Sequence, residues 1–306
     1  MKNILIFGGL GFIGSNIIEE LLLHKDDYNI IVFDFPGKQN IFEGQIKIIY
    51  SDFNNEENLE LVFNENKIDC VIHLISTTIP ASSNDNIIYD IEANLVPTIR
   101  LLKLLALYKI PEIIFFSSGG SVYGVTKDEK VDENHSVFPI SSHGTIKLTI
   151  EKYIHLFQEL YGVNYLILRV GNPYGPYQSS DNQGIINVFI RKMLRDEKLI
   201  VRGDGSAIRD YIYVKDLAKI VHLLISKGIR NEIINIGSGI GVSINQIIDT
   251  LKKIINYKNS IEYTEAPLSD VPKIILETKK LKGMIQYQLF NIEEGIQKTV
   301  KYMINE

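Results

Sequence analysis

The chain has a single cysteine, Cys70, so no disulfide can close within it. Cys70 sits in "DCVIHLI", an apolar run that reads as a buried strand, and a thiol there reads as a small core residue. No stretch approaches the ~20 consecutive apolar residues that span a bilayer. The opening "MKNILIFGG" lacks the long apolar segment and small-residue cleavage site of a secretory leader. Net charge is −5 and no basic block stands out, which argues against nucleic acid or an anionic membrane as partner. Internal repeats, low-complexity tracts and flexible linkers are also missing. What remains is the expectation of a cytoplasmic globular protein. The composition agrees, with 45% hydrophobic and 23% charged residues in 306, ordinary values for a soluble domain.

Short apolar runs alternate with amphipathic stretches through the first half. Strands are expected at 3–8, 29–34, 46–50, 69–75, 112–118 and 164–170. Helices are expected at 12–24, 58–66, 87–109 (broken only by Pro97) and from 141 to about 161. Continuously apolar strands are buried on both faces, as in a parallel sheet covered by helices. The alternation predicts an α/β fold, a Rossmann-type doubly wound sheet. Beyond 170 the rhythm loosens, which predicts a smaller C-terminal α/β lobe over the strand ends, where ligands bind in such sheets. The expected division is 1–170 for the first domain, rejoined by about 210–236, and 171–306 for a discontinuous lobe.

The first strand runs into "GGLGFIG", with Gly8, Gly9, Gly11 and Gly14. Glycines allow a tight turn and let backbone approach a pyrophosphate. The helix opening at Phe12, Ile13 and Gly14 points N–H groups and its positive dipole end at that phosphate. Such a string is weak alone, but here it follows a strand and opens a helix. Asp34 closes the second strand, twenty positions after Gly14. A carboxylate there bonds ribose hydroxyls and repels a 2′-phosphate, so the cofactor expected is NAD. Asp52, after the third strand, either reaches the adenine or is an ordinary turn aspartate.

These segments resemble the extended short-chain dehydrogenase/reductase family, above all the nucleotide-sugar epimerases and dehydratases of the UDP-glucose 4-epimerase type. The resemblance also rests on "VIHLIS" (71–76), Asn94, "SSGGSVYG" (117–124), "KLTIEKY" (147–153), "LRVGNPYGPYQ" (168–178), "GDGSAIRDYIYVKDLA" (203–218) and "NIGSGIGVSI" (235–244). It implies bound NAD, a nucleoside diphosphate sugar as substrate and a homodimer paired through helices 87–109 and 141–161. It also implies that Phe53 and Leu74 line the cofactor. Tyr123, Asn172 and Arg209 are placed on the substrate, Asn172 near the sugar phosphates and Arg209 clamping the diphosphate. Arginine suits that task because its planar fork makes paired bonds to phosphate oxygens. No metal is implied.

The chain departs from the family where the chemistry should be. The family's Y-x-x-x-K reads His143-Gly-Thr-Ile-Lys147 here. Lys147 keeps its spacing toward the cofactor ribose, while the tyrosine that removes a sugar proton is replaced. Histidine is mostly neutral at pH 7 and a competent base, though its ring is shorter than a phenol. The usual Ser or Thr partner falls on Gly119, leaving Ser118 and Ser121 as the nearby hydroxyls. The acid pair of the dehydratases is absent from Gly119–Gly120–Ser121. A phosphate-clamping arginine is absent at Pro267, three residues before Asp270. The leading expectation is an NAD-dependent nucleotide-sugar epimerase acting at C4 through a transient 4-keto sugar. The alternatives are a nucleotide-sugar 4-reductase, or a protein that binds NAD and a nucleotide sugar without redox turnover.

Overall fold

The computed structural model describes residues 1–80, 82–181, 183–266 and 271–305. Its first half contains β1 (Lys2–Phe7), α1 (Phe12–Leu22), β2 (Tyr28–Asp34), β3 (Lys47–Tyr50), α2 (Glu56–Glu65), β4 (Cys70–His73) and α3 (Ile87–Asp90). A π turn over Ile91–Leu95 leads into α4 (Val96–Leu107), followed by β5 (Glu112–Ser118), α5 (Ser142–Tyr161) and β6 (Asn164–Val170). The second half holds β7 (Asn172–Tyr174), α6 (Ile185–Leu194), β8 (Leu199–Arg202), β9 (Ile208–Tyr213), α7 (Val214–Ser226) and β10 (Glu232–Ile236). It ends with β11 (Gly241–Ser243), α8 (Ile244–Ile254), β12 (Ile261–Thr264), α9 (Lys279–Met284) and α10 (Ile292–Asn305).

Seven parallel strands form one sheet in the order β10-β6-β5-β4-β1-β2-β3. Strand order reverses between β1 and β4, which opens the crevice at their carboxyl ends. Alternate residues of β1 feed two cores. Ile4 and Ile6 join one, with α1 and α7, while Leu5 and Phe7 join the other, with α4 and α5. Helices cover the sheet on both faces, which is why these strands read as unbroken apolar runs. The C-terminal lobe has its own core, built on Tyr174, Phe189, Ile190, Ile247 and Leu251. Its sheets are smaller, β11-β9-β7 and β12-β8.

Two features differ from the sequence expectation. The long helix 87–109 is not broken at Pro97; it widens into the π turn just before it, and Pro97 sits in the first turn of α4. A proline lacks the N–H and crowds the carbonyl one turn earlier, so a wide turn accommodates it without ending the helix. Secondly, β9 belongs to the small sheet. The chain returns to the large one through α7 and β10, and again through Leu281 and Ile285 of the α9 region, which enter its core.

Candidate active site

The turn after β1 is closed by glycine. Gly8 has φ +79°, left-handed backbone that other residues rarely adopt. A Cβ on Gly14 would lie 2.6 Å from Gly9 Cα and 2.7 Å from Gly8 O, so only glycine lets α1 seat on the turn. A Cβ on Gly11 would enter the space at the helix end, 3.2 Å from Gly8 O. Phe12, Ile13 and Gly14 form the first turn of α1, whose N–H groups lack partners within the helix. Asp34, 3% exposed at the end of β2, accepts the Leu10 N–H at 2.8 Å and its own neighbour Phe35 N–H at 2.8 Å. Lys38 Nζ lies 2.9 Å from the other side of that carboxylate. A glycine cradle, a helix end and a buried carboxylate together fit NAD.

Opposite stands the start of α5. Ser141 caps it, its Oγ accepting the Gly144 N–H at 3.2 Å. His143, Lys147 and Glu151 then fall on successive turns of one face, 9%, 7% and 2% exposed. Lys147 Nζ donates to the Phe116 carbonyl at 3.0 Å, which ties α5 to β5. Burial pushes Lys147 down to about 8, with Asp90 and Glu151 opposing. Burial likewise pushes His143 down to about 4, and the Lys147 charge acts in the same direction. The imidazole is therefore neutral at pH 7. Withdrawal from water is the larger of the two effects.

Ser118 Oγ donates to Ser121 Oγ at 3.1 Å, so the two hydroxyls form one pair at the end of β5. A serine at Gly119 has no room, since its Cβ would stand 2.7 Å from Leu276 Cδ1 and 3.0 Å from Arg169 O. Gly120 is open toward Asn172 Oδ1 and Ser118 Oγ, 3.9 and 4.0 Å from a built Cβ. Asn172, half-buried on β7, thus borders the same space. Arg209 lies on β9, its Nη1 donating to Ile208 O at 2.9 Å. Its neighbour Asp210 faces the other side of the sheet and accepts Ser238, Gly239 and Leu276 N–H groups. Pro267 and Asp270 lie outside the described residues.

Two side chains expected in the cleft turn inward instead. Tyr123 does not face the cleft. It is 1% exposed, with its hydroxyl donating to Asn235 Oδ1 at 2.6 Å and accepting from Arg169 Nη1 at 3.1 Å. Phe53 turns its ring into the core against Phe7 and His73, with centroids 5.4 and 5.3 Å apart. In both cases an apolar body is better buried than exposed. Leu74, by contrast, is only half-buried where β4 ends beside the glycine turn, its N–H bonding Phe7 O. Asp52 is exposed, and its Oδ1 accepts the Asn54 N–H at 2.8 Å, the bond of a turn aspartate.

Sequence reasoning missed four groups. Asp90 is 1% exposed and accepts from Thr78 Oγ1 (2.6 Å), Asn94 Nδ2 (2.9 Å) and Ser142 Oγ (2.6 Å). The D-x-x-x-N spacing to Asn94, one helical turn, was its only signal. Arg169 makes a two-pronged pair with Glu151, at 2.7 and 3.1 Å, behind Lys147. His73 Nε2 meets Thr98 Oγ1 at 2.9 Å; burial and the Lys147 charge hold it down to about 3. Lys38 could be suspected only as the residue one turn beyond Asp34.

Residues 4–237 match the model of the NAD dependent epimerase/dehydratase family. A candidate UDP-glucose 4-epimerase of Methanocaldococcus jannaschii is 35% identical over 305 residues, 99% of this chain and 98% of that protein. A dTDP-4-dehydro-6-deoxyglucose reductase of Escherichia coli is 29% identical, over 98% of this chain and 97% of that one. The crystal structure of the Thermotoga maritima UDP-glucose 4-epimerase with UDP-glucose superposes with a TM-score of 0.92 at 32% identity, covering 99% of both chains. The matched span holds the glycine turn, the α5 start and the strand ends that border them. The chain belongs to the NAD-dependent epimerase/dehydratase family, and NAD is its cofactor.

Proposed function

We propose that the protein is a nucleotide-sugar 4-epimerase in which His143 moves the proton of the reacting sugar hydroxyl. The carrying observation is that buried His143 occupies the turn of α5 directly before Lys147, and that Gly144 beside it packs on the carbonyl of Ser121, whose hydroxyl pairs with Ser118. When bound, NAD supplies the hydride acceptor and donor for the sugar carbon. Gly8, Gly11, Phe12, Ile13 and Gly14 would hold its pyrophosphate, Asp34 its adenosine ribose and Lys147 its nicotinamide ribose. Neutral His143 takes the O–H proton as the sugar becomes a 4-keto sugar, and returns it after the ring has turned over. Ser118 and Ser121 supply hydrogen bonds to the same oxygen. Asn172 and Arg209 hold the diphosphate, Arg209 through charge-assisted bonds worth roughly 1.5–3 kcal/mol. The relative crystallised with UDP-glucose supports a uridine diphosphate sugar as substrate. Asp34 disfavours the NADP-linked reductase alternative.

A second copy completes the molecule in this reading, as a homodimer in the cytoplasm. Leu107, Leu160 and Tyr161 are 66%, 61% and 59% exposed on adjoining helices α4 and α5. With Lys103, Ala106 and Phe157 in place of Leu160 they line an apolar groove of about 250 Å³. Leu107→Glu is expected to give a monomer by light scattering.

Two measurements test the function. Mass spectrometry of ligands released from the purified protein should give NAD(H); NADP(H) would contradict the Asp34 assignment. Proton NMR should show UDP-glucose and UDP-galactose, or their N-acetyl counterparts, interconverting without added reductant. Failure with all four, together with NADPH-dependent reduction of a 4-keto sugar, would replace the epimerase by a reductase. His143→Tyr separates the remaining alternative: if it gains an exchange that the parent lacks, the parent is a binding protein.

A further inference from the structure

Asp90 ends α3 where the helix widens into the π turn. Such turns displace one residue from the helical register and recur at functional sites. Its carboxylate is held by three neutral donors, the side chains of Thr78, Asn94 and Ser142. They satisfy its lone pairs without cancelling its charge. Among the described residues no lysine or arginine pairs with it. Glu151, the other buried carboxylate near Lys147, differs in being neutralised by Arg169.

The same groups that fix Asp90 also fix His143. Ser142 precedes it in α5, and the Thr78 carbonyl lies against its ring. Ser83 Oγ accepts the His143 N–H at 3.1 Å, and Asn84 Oδ1 accepts the Ser142 N–H at 2.8 Å. The segment before α3 and the start of α5 are thus clamped together, with one negative charge between them that no lysine or arginine contacts directly among the described residues.

That charge answers a difficulty in the chemistry. Taking the sugar proton breaks an O–H bond, forms an N–H bond on His143 and leaves a positive ring. The ring is buried, with the Lys147 ammonium on the next turn. Two buried like charges repel strongly where water is excluded. Asp90 is the acidic group facing His143 from outside α5, and Lys147 is the basic one on α5 itself. Lys147 is faced by Asp90, Glu151 and His73.

This step rests on His143 being the proton acceptor: we propose that Asp90 is a positioning residue for the reaction, a fixed counter-charge that orients the His143 ring and offsets the positive charge it acquires from the sugar hydroxyl. It touches neither substrate nor cofactor. It stabilises the cationic ring more than the neutral one, which makes it a contribution to turnover and not to substrate binding.

The test is Asp90→Asn, which keeps the shape and removes the charge. With UDP-glucose as probe, kcat should fall ~10-fold or more with KM little changed. The His143 ring, followed by nitrogen-edited NMR without turnover, should titrate about one unit lower. Lys147, which Asp90 also faces, should lose its proton at lower pH, so an alkaline limb of kcat that reports Lys147 should move down as well. A folded variant with lost activity but both titrations unmoved would make Asp90 a structural carboxylate and overturn the proposal. If the asparagine variant does not fold, Asp90→Ser is read by the same titrations, and failure of both to fold also overturns it. The underlying reading fails separately, if His143→Gln leaves exchange intact.

Discussion

The two sides of the cleft are built on different physics. At the ends of β1 and β2 the constraints are mainly steric: Gly14 has no room for a Cβ, and Asp34 is fixed in place by the Leu10 and Phe35 N–H groups. At the start of α5 they are electrostatic and distant in sequence, with Asp90, His143, Lys147, Glu151 and Arg169 buried within one layer. A steric cradle admits almost no change. An electrostatic cluster accepts a new residue if the surrounding charges rebalance. His143, the group proposed as the base, lies on the second side.

Gly14→Val should have the largest effect. Its Cβ would strike Gly9 and Gly8 backbone, which cannot move aside as a flexible side chain would. Cofactor content after purification should drop to none; retention near the parent's level would break the steric half of the comparison.

The electrostatic half predicts acid sensitivity. His143 and His73 are held near 4 and 3 when folded, against about 6.5 when unfolded. Between those values the unfolded chain binds more protons, so stability is full above about pH 6.5 and declines as pH falls. Each histidine contributes on the order of a few kcal/mol when the decline is complete. Denaturant midpoints between pH 7 and 5 should fall, and the slope should flatten in His73→Leu. A midpoint independent of pH would mean that these rings are charged or hydrated when folded.

Asp52→Asn should do least. The exposed side chain caps its own turn, so NAD affinity is expected within about 2-fold of the parent, at the scale of a surface substitution. A tenfold loss by calorimetry would move Asp52 onto the adenine and enlarge the steric half.

Legibility in the sequence follows the same division. The strands 112–118 and 164–170 were readable to the residue because burial on both faces writes itself as an apolar run. The glycine turn at Gly8 and Gly14 was readable because a strand running into a helix fixes its spacing, and the position of Asp34 because it closes the apolar run of β2. Tyr123 misled, since its motif says that it lies near the site but not which way the ring turns; Arg169 and Asn235 draw it inward. Asp90 was hidden because its partners come from positions 78, 94 and 142, and only the folded chain gathers them. The π turn was hidden too, since Pro97 reads as an interruption when only local rules are applied.

The central claim is that His143 is a working base in a rebuilt site. The most direct measurement is the single-turnover rate of C4 exchange on UDP-glucose by the parent and by His143→Gln, each loaded with NAD and compared at pH 7. Glutamine preserves size and hydrogen bonding but cannot carry the proton. The account predicts a rate lower by roughly 10²–10⁴-fold with cofactor content unchanged, the usual worth of a general base. Equal rates in the two proteins would contradict it.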